Sequence, residues 1–228
     1  MKLLLTNDDG IGAPGLEALL SLAESLGEPL VIAPHGPASG VSHATTTDGP
    51  LRVNTVHPKR HSVEGTPADC VRVALHRHGA GFDFVLAGIN NGGNLGVDVY
   101  HSGTVAAVRE AAIHGVPGIA ISHYHNRPLD EADWQRAVLW AKPIIEDLMA
   151  RPSVSGEFWN VNLPMPGHTD EAPEVVHCGL DTSPLILSFR EEQDSLHYNG
   201  RYSLRPRQRG LDVDVCFGGK IAVSRMSV

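Results

Sequence analysis

The sequence of 228 residues is poor in cysteine, in positive charge and in long apolar runs, and each shortage removes a class of protein. Its three cysteines, Cys70, Cys178 and Cys216, are odd in number, far apart and never in a CxxC pair. Neither a disulfide framework nor a thiolate zinc site is expected, which points to a reducing cytoplasm. Lys and Arg number 18 against 26 Asp and Glu, for a formal charge of -8. With no general positive field, stable nucleic-acid binding and attraction to anionic membranes are not expected, and any anionic substrate needs local help. No stretch approaches the roughly 18 apolar residues of a membrane span. The leucines after Lys2 are too few for a signal segment, so a soluble protein beginning at its native start is expected. What is present suffices for a core: 42% of residues are hydrophobic. The 24 Gly and 16 Pro exceed the usual share without reaching low complexity, as in a loop-rich enzyme.

The order of apolar segments predicts an α/β fold. Residues 2–6 read as a strand buried on both faces, and Pro14 opens a helix with Leu16, Leu19, Leu20 and Ala23 at helical spacing, stopped by Gly27. Residues 30–33 read as a second strand. Thr66-Pro67-Ala68-Asp69 has the form of a capped helix start, and 84–88 follow as another strand. A loop is expected from 89 to 101, then a helix over 102–114 stopped by Gly115, a strand over 118–122, a helix over 131–149 and a strand over 158–163. Strands alternating with helices imply a doubly wound, mostly parallel, Rossmann-like sheet, whose ligands bind outside the carboxyl ends of its strands. One domain spanning 1–228 is expected, with a core over about 1–165. From about Pro166 the apolar runs become short (175–178, 185–189, 221–226). This hairpin-rich extension, 166–228, is expected to pack on the sheet or to make oligomer contacts.

Four elements carry chemistry. Asp8 and Asp9 stand where the first strand ends, and Gly10 gives the backbone the freedom to turn both carboxylates to one side. Asp-Gly is also an ordinary turn signal, but adjacent carboxylates repel unless a cation or proton intervenes. Ser39-Gly40, in the loop after the second strand, brings a hydroxyl to the same sheet edge; alone it reads as a turn. The run from Ala87 to Gly96 follows an apolar strand and is rich in Gly and Asn. Asn90 there adds a neutral amide oxygen, completing an all-oxygen set suited to Mg²⁺ or Mn²⁺ better than to zinc, although the run is also compatible with a flexible turn. Ser102-Gly103-Thr104 opens a helix, where free N–H groups, the helix dipole and two hydroxyls make an anion site, or simply an N-cap.

These strings, TNDDGIGAPG (6–15), SG (39–40), GTPADCV (65–71), GIN with NLG (88–96) and HSGTVAA (101–107), resemble the SurE family of stationary-phase survival proteins. The resemblance covers roughly 1–125 in order, weakens to 165 and resumes at 211–226. It implies a SurE-like fold and a metal-dependent phosphatase of nucleoside 5′- and 3′-monophosphates, in class a 5′-nucleotidase or acid-phosphatase-type hydrolase. It implies one divalent ion on Asp8, Asp9, Ser39 and Asn90, with Asp8 and Asp9 catalytic, and a phosphate cradle of Asn94, Ser102, Gly103 and Thr104. Ala87, Asn91 and Gly93 depart from the Ser, Ala and Pro usual in the family, a change to the loop and not to the ligand set. The chain also stops soon after the family's last core strand, so a homodimer is expected, with a homotetramer as the alternative.

Two histidines are candidate auxiliaries. His101 precedes the phosphate helix and His123 follows a strand at the active edge, so either could hydrogen-bond phosphate or donate a proton to the leaving group. The other pairs, His76/His78 and the partner His125, read as surface positions. Arg205, Arg207 and Arg209 read either as a clamp for a second phosphate or as a solvated edge. Rival readings are a calcium-dependent nucleoside hydrolase, which also uses N-terminal aspartates, and a non-catalytic nucleotide-binding or receiver-type signalling module. A receiver needs a Lys after its fifth strand, where this chain has His-Tyr-His. Haloacid-dehalogenase phosphatases need Asp-x-Asp, whereas these aspartates are adjacent.

Overall fold

The computed structural model describes residues 1–79, 81–165, 167 and 171–228. The expected extension boundary at Pro166 lies outside the described residues. Strand β1, Lys2–Thr6, sits near the middle of a nine-stranded sheet. Its leucines alternate between faces, as a strand covered on both sides requires: Leu3 and Leu5 join one core cluster and Leu4 the other. Helix α1, Pro14–Ala23, returns the chain to β2, Glu28–Pro34, which pairs parallel to β1. β3, Val53–His57, and β4, Arg60–Val63, then form an antiparallel pair whose β4 lies parallel to β2.

Helix α2, Pro67–His78, begins at a capping box in which the Thr66 hydroxyl accepts from the Asp69 N–H and the Asp69 carboxylate accepts from the Thr66 N–H. It carries the chain back over the sheet to β5, Phe84–Asn91, on the other side of β1. Helix α3, Gly103–Ile113, leads to β6, Gly118–His123, and α4, Glu131–Ala150, to β7, Glu157–Leu163, all parallel. α1 and α4 cover one face of the sheet, α2 and α3 the other. Winding reverses between β1 and β5, so the crevice at their carboxyl ends is the topological switch point where such sheets bind ligands.

Three features differ from expectation. β5 does not end at Gly88; it continues through Asn91 with a register shift between Ala87 and Asn90, so the glycine signal there marks a bulge and not a loop. β3 and β4 escape sequence reading because most of β3 is exposed and lacks an apolar run. The extension joins the main sheet: β8, Val175–His177, and β11, Ile221–Ser227, extend it beyond β7, with β11 antiparallel to β7. Between them lie a separate hairpin, β9 (Phe189–Glu192) with β10 (Ser195–Tyr198), and a short helix α5, Asp212–Phe217.

α1 approaches β5 closely because Gly15 is buried against it; a Cβ at that position would overlap the Ile89 carbonyl oxygen. Backbone atoms cannot swing aside as a flexible side chain does. Gly15→Ala is therefore expected to cost about 3 kcal/mol, measured as a lowered urea midpoint with unchanged slope.

Candidate active site at the β1/β5 switch point

The site is built first by a turn. After β1 the buried Asn7 side chain donates from Nδ2 to the Gly10 carbonyl at 2.9 Å and accepts at Oδ1 from the Gly10 N–H at 3.2 Å. Gly10, at φ +101°, closes this turn and packs against Gly36, where a Cβ would come within 2.9 Å of backbone. The bend between them frees Asp8 and Asp9 from the strict alternation of a strand. Asn7 is the residue that sequence reading missed here, although the TND string contained it.

Asp8 is almost fully buried. It sits at the start of α3, where the Thr104 hydroxyl donates to its Oδ1 at 2.5 Å and the absence of a side chain at Gly103 makes room for it. Burial raises its pKa from 3.8 to about 6, the Thr104 contacts partly offset this, and the neighbouring Asp9 pushes further upward. Asp9 is half-buried and its pKa is also raised, chiefly by burial. The Asn91 N–H donates to its Oδ2 at 3.0 Å and a nearby His125 favours its ionised form.

Asn90 lies at the end of β5. Its Nδ2 donates to the Gly92 carbonyl at 2.9 Å, which commits the amide nitrogen and keeps Oδ1 as an acceptor oxygen. Ser39 is exposed in the loop after β2, one residue beyond Ala38, whose N–H donates to the Asp8 carbonyl at 2.7 Å. That loop is strapped down further along: the Ser42 hydroxyl donates to the Tyr100 carbonyl at 2.6 Å, His43 pairs with Glu110 of α3 at 2.8 Å, and the Thr46 hydroxyl donates to Asp69 of α2 at 2.8 Å. The four expected donors thus belong to one sheet edge. Among the described residues no three His, Cys, Asp or Glu side chains are grouped to hold a metal. The expected set adds an amide and a hydroxyl to the two aspartates, and adjacent carboxylates, one buried and one half-buried, both with raised pKa values, fit a hard divalent ion.

The expected phosphate residues divide. Ser102 is the N-cap of α3, its hydroxyl accepting from the Val105 N–H at 3.1 Å. The Ser102 N–H goes to the Asp98 carbonyl, and Thr104, expected to donate to phosphate, turns its hydroxyl to Asp8. These commitments leave the Gly103 N–H of the first turn for a ligand. Asn94 is buried in an amide network: its Nδ2 donates to the Ser122 hydroxyl at 2.7 Å, its N–H to Asn162 Oδ1 at 2.8 Å, and its carbonyl accepts from Asn160 and Asn162. The network fixes the loop that follows β5.

The histidines are the clearest correction. His123 is the last residue of β6 and fully buried, edge-on to Trp134 and Trp140 of α4. Burial lowers its pKa to about 4, so it is neutral at physiological pH and carries no proton to donate as an imidazolium. His101 is exposed beside α3. His125, read as a surface residue, is the one whose charge Asp9 feels. Arg205 is buried against Asp98, at 2.5 Å, so it cannot share an outward clamp with Arg207 and Arg209.

The Asp8 shift carries a stability cost with a definite sign. Below about pH 4 the carboxyl is protonated in both states; between pH 4 and 6 the native state keeps a proton the unfolded chain has released, so stability falls as pH rises. In chelator, Asp8→Asn is expected to be more stable than wild type at pH 7.5 by about 3 kcal/mol, the advantage shrinking to about 0.5 kcal/mol at pH 4, measured by denaturant titration.

The family model described as "Survival protein SurE" matches residues 3–183. A protein of Nostoc sp. (strain PCC 7120) is 47% identical over 230 residues, covering 100% of both chains. A Caulobacter vibrioides protein named 5′-nucleotidase SurE is 36% identical over 248 residues, covering 100% of this chain and 90% of its own. The crystal structure of the SurE protein from Aquifex aeolicus superposes with a TM-score of 0.82 at 27% identity, covering 100% of this chain and 93% of that one. By family model, by relatives and by fold, the chain belongs to the SurE family.

Proposed function

We propose that the chain is a phosphomonoesterase that converts nucleoside 5′-monophosphates, and 3′-monophosphates, to nucleoside and inorganic phosphate with one divalent ion, Mg²⁺ or Mn²⁺. The observation that carries this reading is the adjacent pair at the switch point, Asp8 buried against the N-terminus of α3 and Asp9 half-buried beside it. The names borne by relatives such as the Caulobacter protein agree with it.

Asp8, Asp9, Ser39 and Asn90 would hold the ion; when bound it supplies positive charge beside the phosphoryl oxygens and acidifies water. The chain's own residues do the rest. Asp9 is fixed by the Asn91 N–H and Asp8 by Thr104, so neither carboxylate reorganises as the reaction proceeds. The Gly103 N–H and the dipole of α3 face the phosphate. Water attacks phosphorus in line, the bond from phosphorus to the ester oxygen breaks, and that oxygen gains the equivalent of the proton the attacking water gives up as the nucleoside departs. The free cysteines support a cytoplasmic setting, and among the described residues no helix is long and apolar enough to cross a membrane.

We also propose that residues 166–228 contribute contacts between copies, in a homodimer or a homotetramer. Leu187 (82%) and Leu196 (63%), together with Phe189 and Tyr198, are exposed on and beside the β9–β10 hairpin, an apolar group that solvent alone does not favour. Leu196→Glu is expected to shift the mass measured by light scattering toward the monomer.

Activity is tested by phosphate release from a panel of mononucleotides after chelation and single-metal add-back. Asp9→Asn is expected to lower turnover by roughly two orders of magnitude or more. Near wild-type phosphate release by that variant with added Mg²⁺ or Mn²⁺ would remove Asp9 from the proposed role.

A further inference from the structure

We infer that the nucleobase and ribose of the substrate lie in the cleft between the N-termini of α1 and α4, against the Trp134 indole. This subsite rests on the nucleotidase reading and extends it. The cleft has a volume of about 600 Å³ and is lined by Gly12, Pro14, Ala18, Leu129, Trp134 and Val138. A second hollow of about 380 Å³ beside it contains Asp9, His35 and Asn91. Gly12, Pro14 and Trp134 line both, so the two form a continuous groove from the catalytic carboxylate to the apolar cleft. Each volume is in the range of small-molecule sites, roughly 300–1,000 Å³.

The chemistry of the walls selects the occupant. Trp134 is half-buried, and His123 packs T-shaped to it at 6.2 Å, which orients the indole. An aromatic wall of this kind stacks any base, because every base presents a π-face. The charged residues along the cleft, Glu17, Asp130 and Glu131, are all acidic. Glu17 is paired with Arg60. Such a rim repels a second phosphate and accepts hydrogen bonds from amino groups and ribose hydroxyls. A molecule with one phosphate at the Asp9 end and an uncharged ring at the other fits both halves. The passage between them depends on Gly12, where an added Cβ would meet no atom within 4 Å and φ is not positive, so a larger residue can enter without backbone strain.

The test compares AMP with glycerol 2-phosphate, an ester without a ring. Trp134→Ala and Gly12→Leu are each expected to lower kcat/KM for AMP relative to glycerol 2-phosphate by about tenfold, with Trp134→Phe retaining most of the ratio. Adenosine, which carries no phosphate, is expected to quench tryptophan fluorescence in the wild type and not in Gly12→Leu. Parallel loss on both esters, an unchanged ratio, or quenching that survives Gly12→Leu overturns the subsite. If the wild type releases phosphate from neither ester, the nucleotidase reading fails, and the adenosine titration alone decides the subsite: quenching lost in Gly12→Leu supports it, and absence of quenching in the wild type overturns it.

Discussion

The hydrogen bond from Thr104 to Asp8 joins the two halves of the site, and much of the local architecture serves to make it possible. Asp8 ends the central strand β1 and Thr104 opens α3, close to a hundred residues later in the chain. A buried carboxylate is costly without partners, and here the hydroxyl and the amide-rich start of the helix offset part of that cost. The remainder is left as a raised pKa, a local demand for positive charge. Gly103 is required by the same contact, since a side chain there would meet Asp8. Thr104, expected to touch substrate, thus holds Asp8 instead.

Around this contact, each loop is pinned by polar groups, with Leu95 and Val99 adding apolar anchors after β5. The Asn7 amide clips the turn after β1, the His43 and Thr46 contacts pin the loop after β2, and the Asn94, Asn160 and Asn162 amides fix the loop after β5. Polar networks in a buried setting are geometrically selective, because a shifted partner leaves a donor or acceptor stranded. That suits loops required to present oxygen donors at fixed positions.

Much of the fold was legible in the sequence because its signals are local. The apolar alternation of β1, Pro14 at the start of α1, the Thr66 cap and the Gly115 stop each act within a few residues. The proposed donors stand out for the same reason: Asp-Asp-Gly, Ser-Gly and the Asn/Gly run sit at the ends of recognisable strands. What could not be read depends on distant partners. The sequence shows His123 after an apolar strand, but its burial is set by Trp134 and Trp140 arriving on α4. Gly88 looks like a turn and is a bulge because β6 lies alongside to carry the ladder onward. Arg205 looks outward in an arginine-rich stretch and turns inward because Asp98 and Tyr202 receive it.

The loop that follows β5 is held from the far end of the polypeptide. Gly96 donates its N–H to Asp212, and Asp98 receives both Tyr202 and Arg205, while β11 closes the outer part of the sheet against β7. A ribosome releases these residues long after that loop. A nascent chain therefore presents Asp8, Asp9, Ser39 and Asn90 more than a hundred residues before it owns the clasp that steadies the loop after β5.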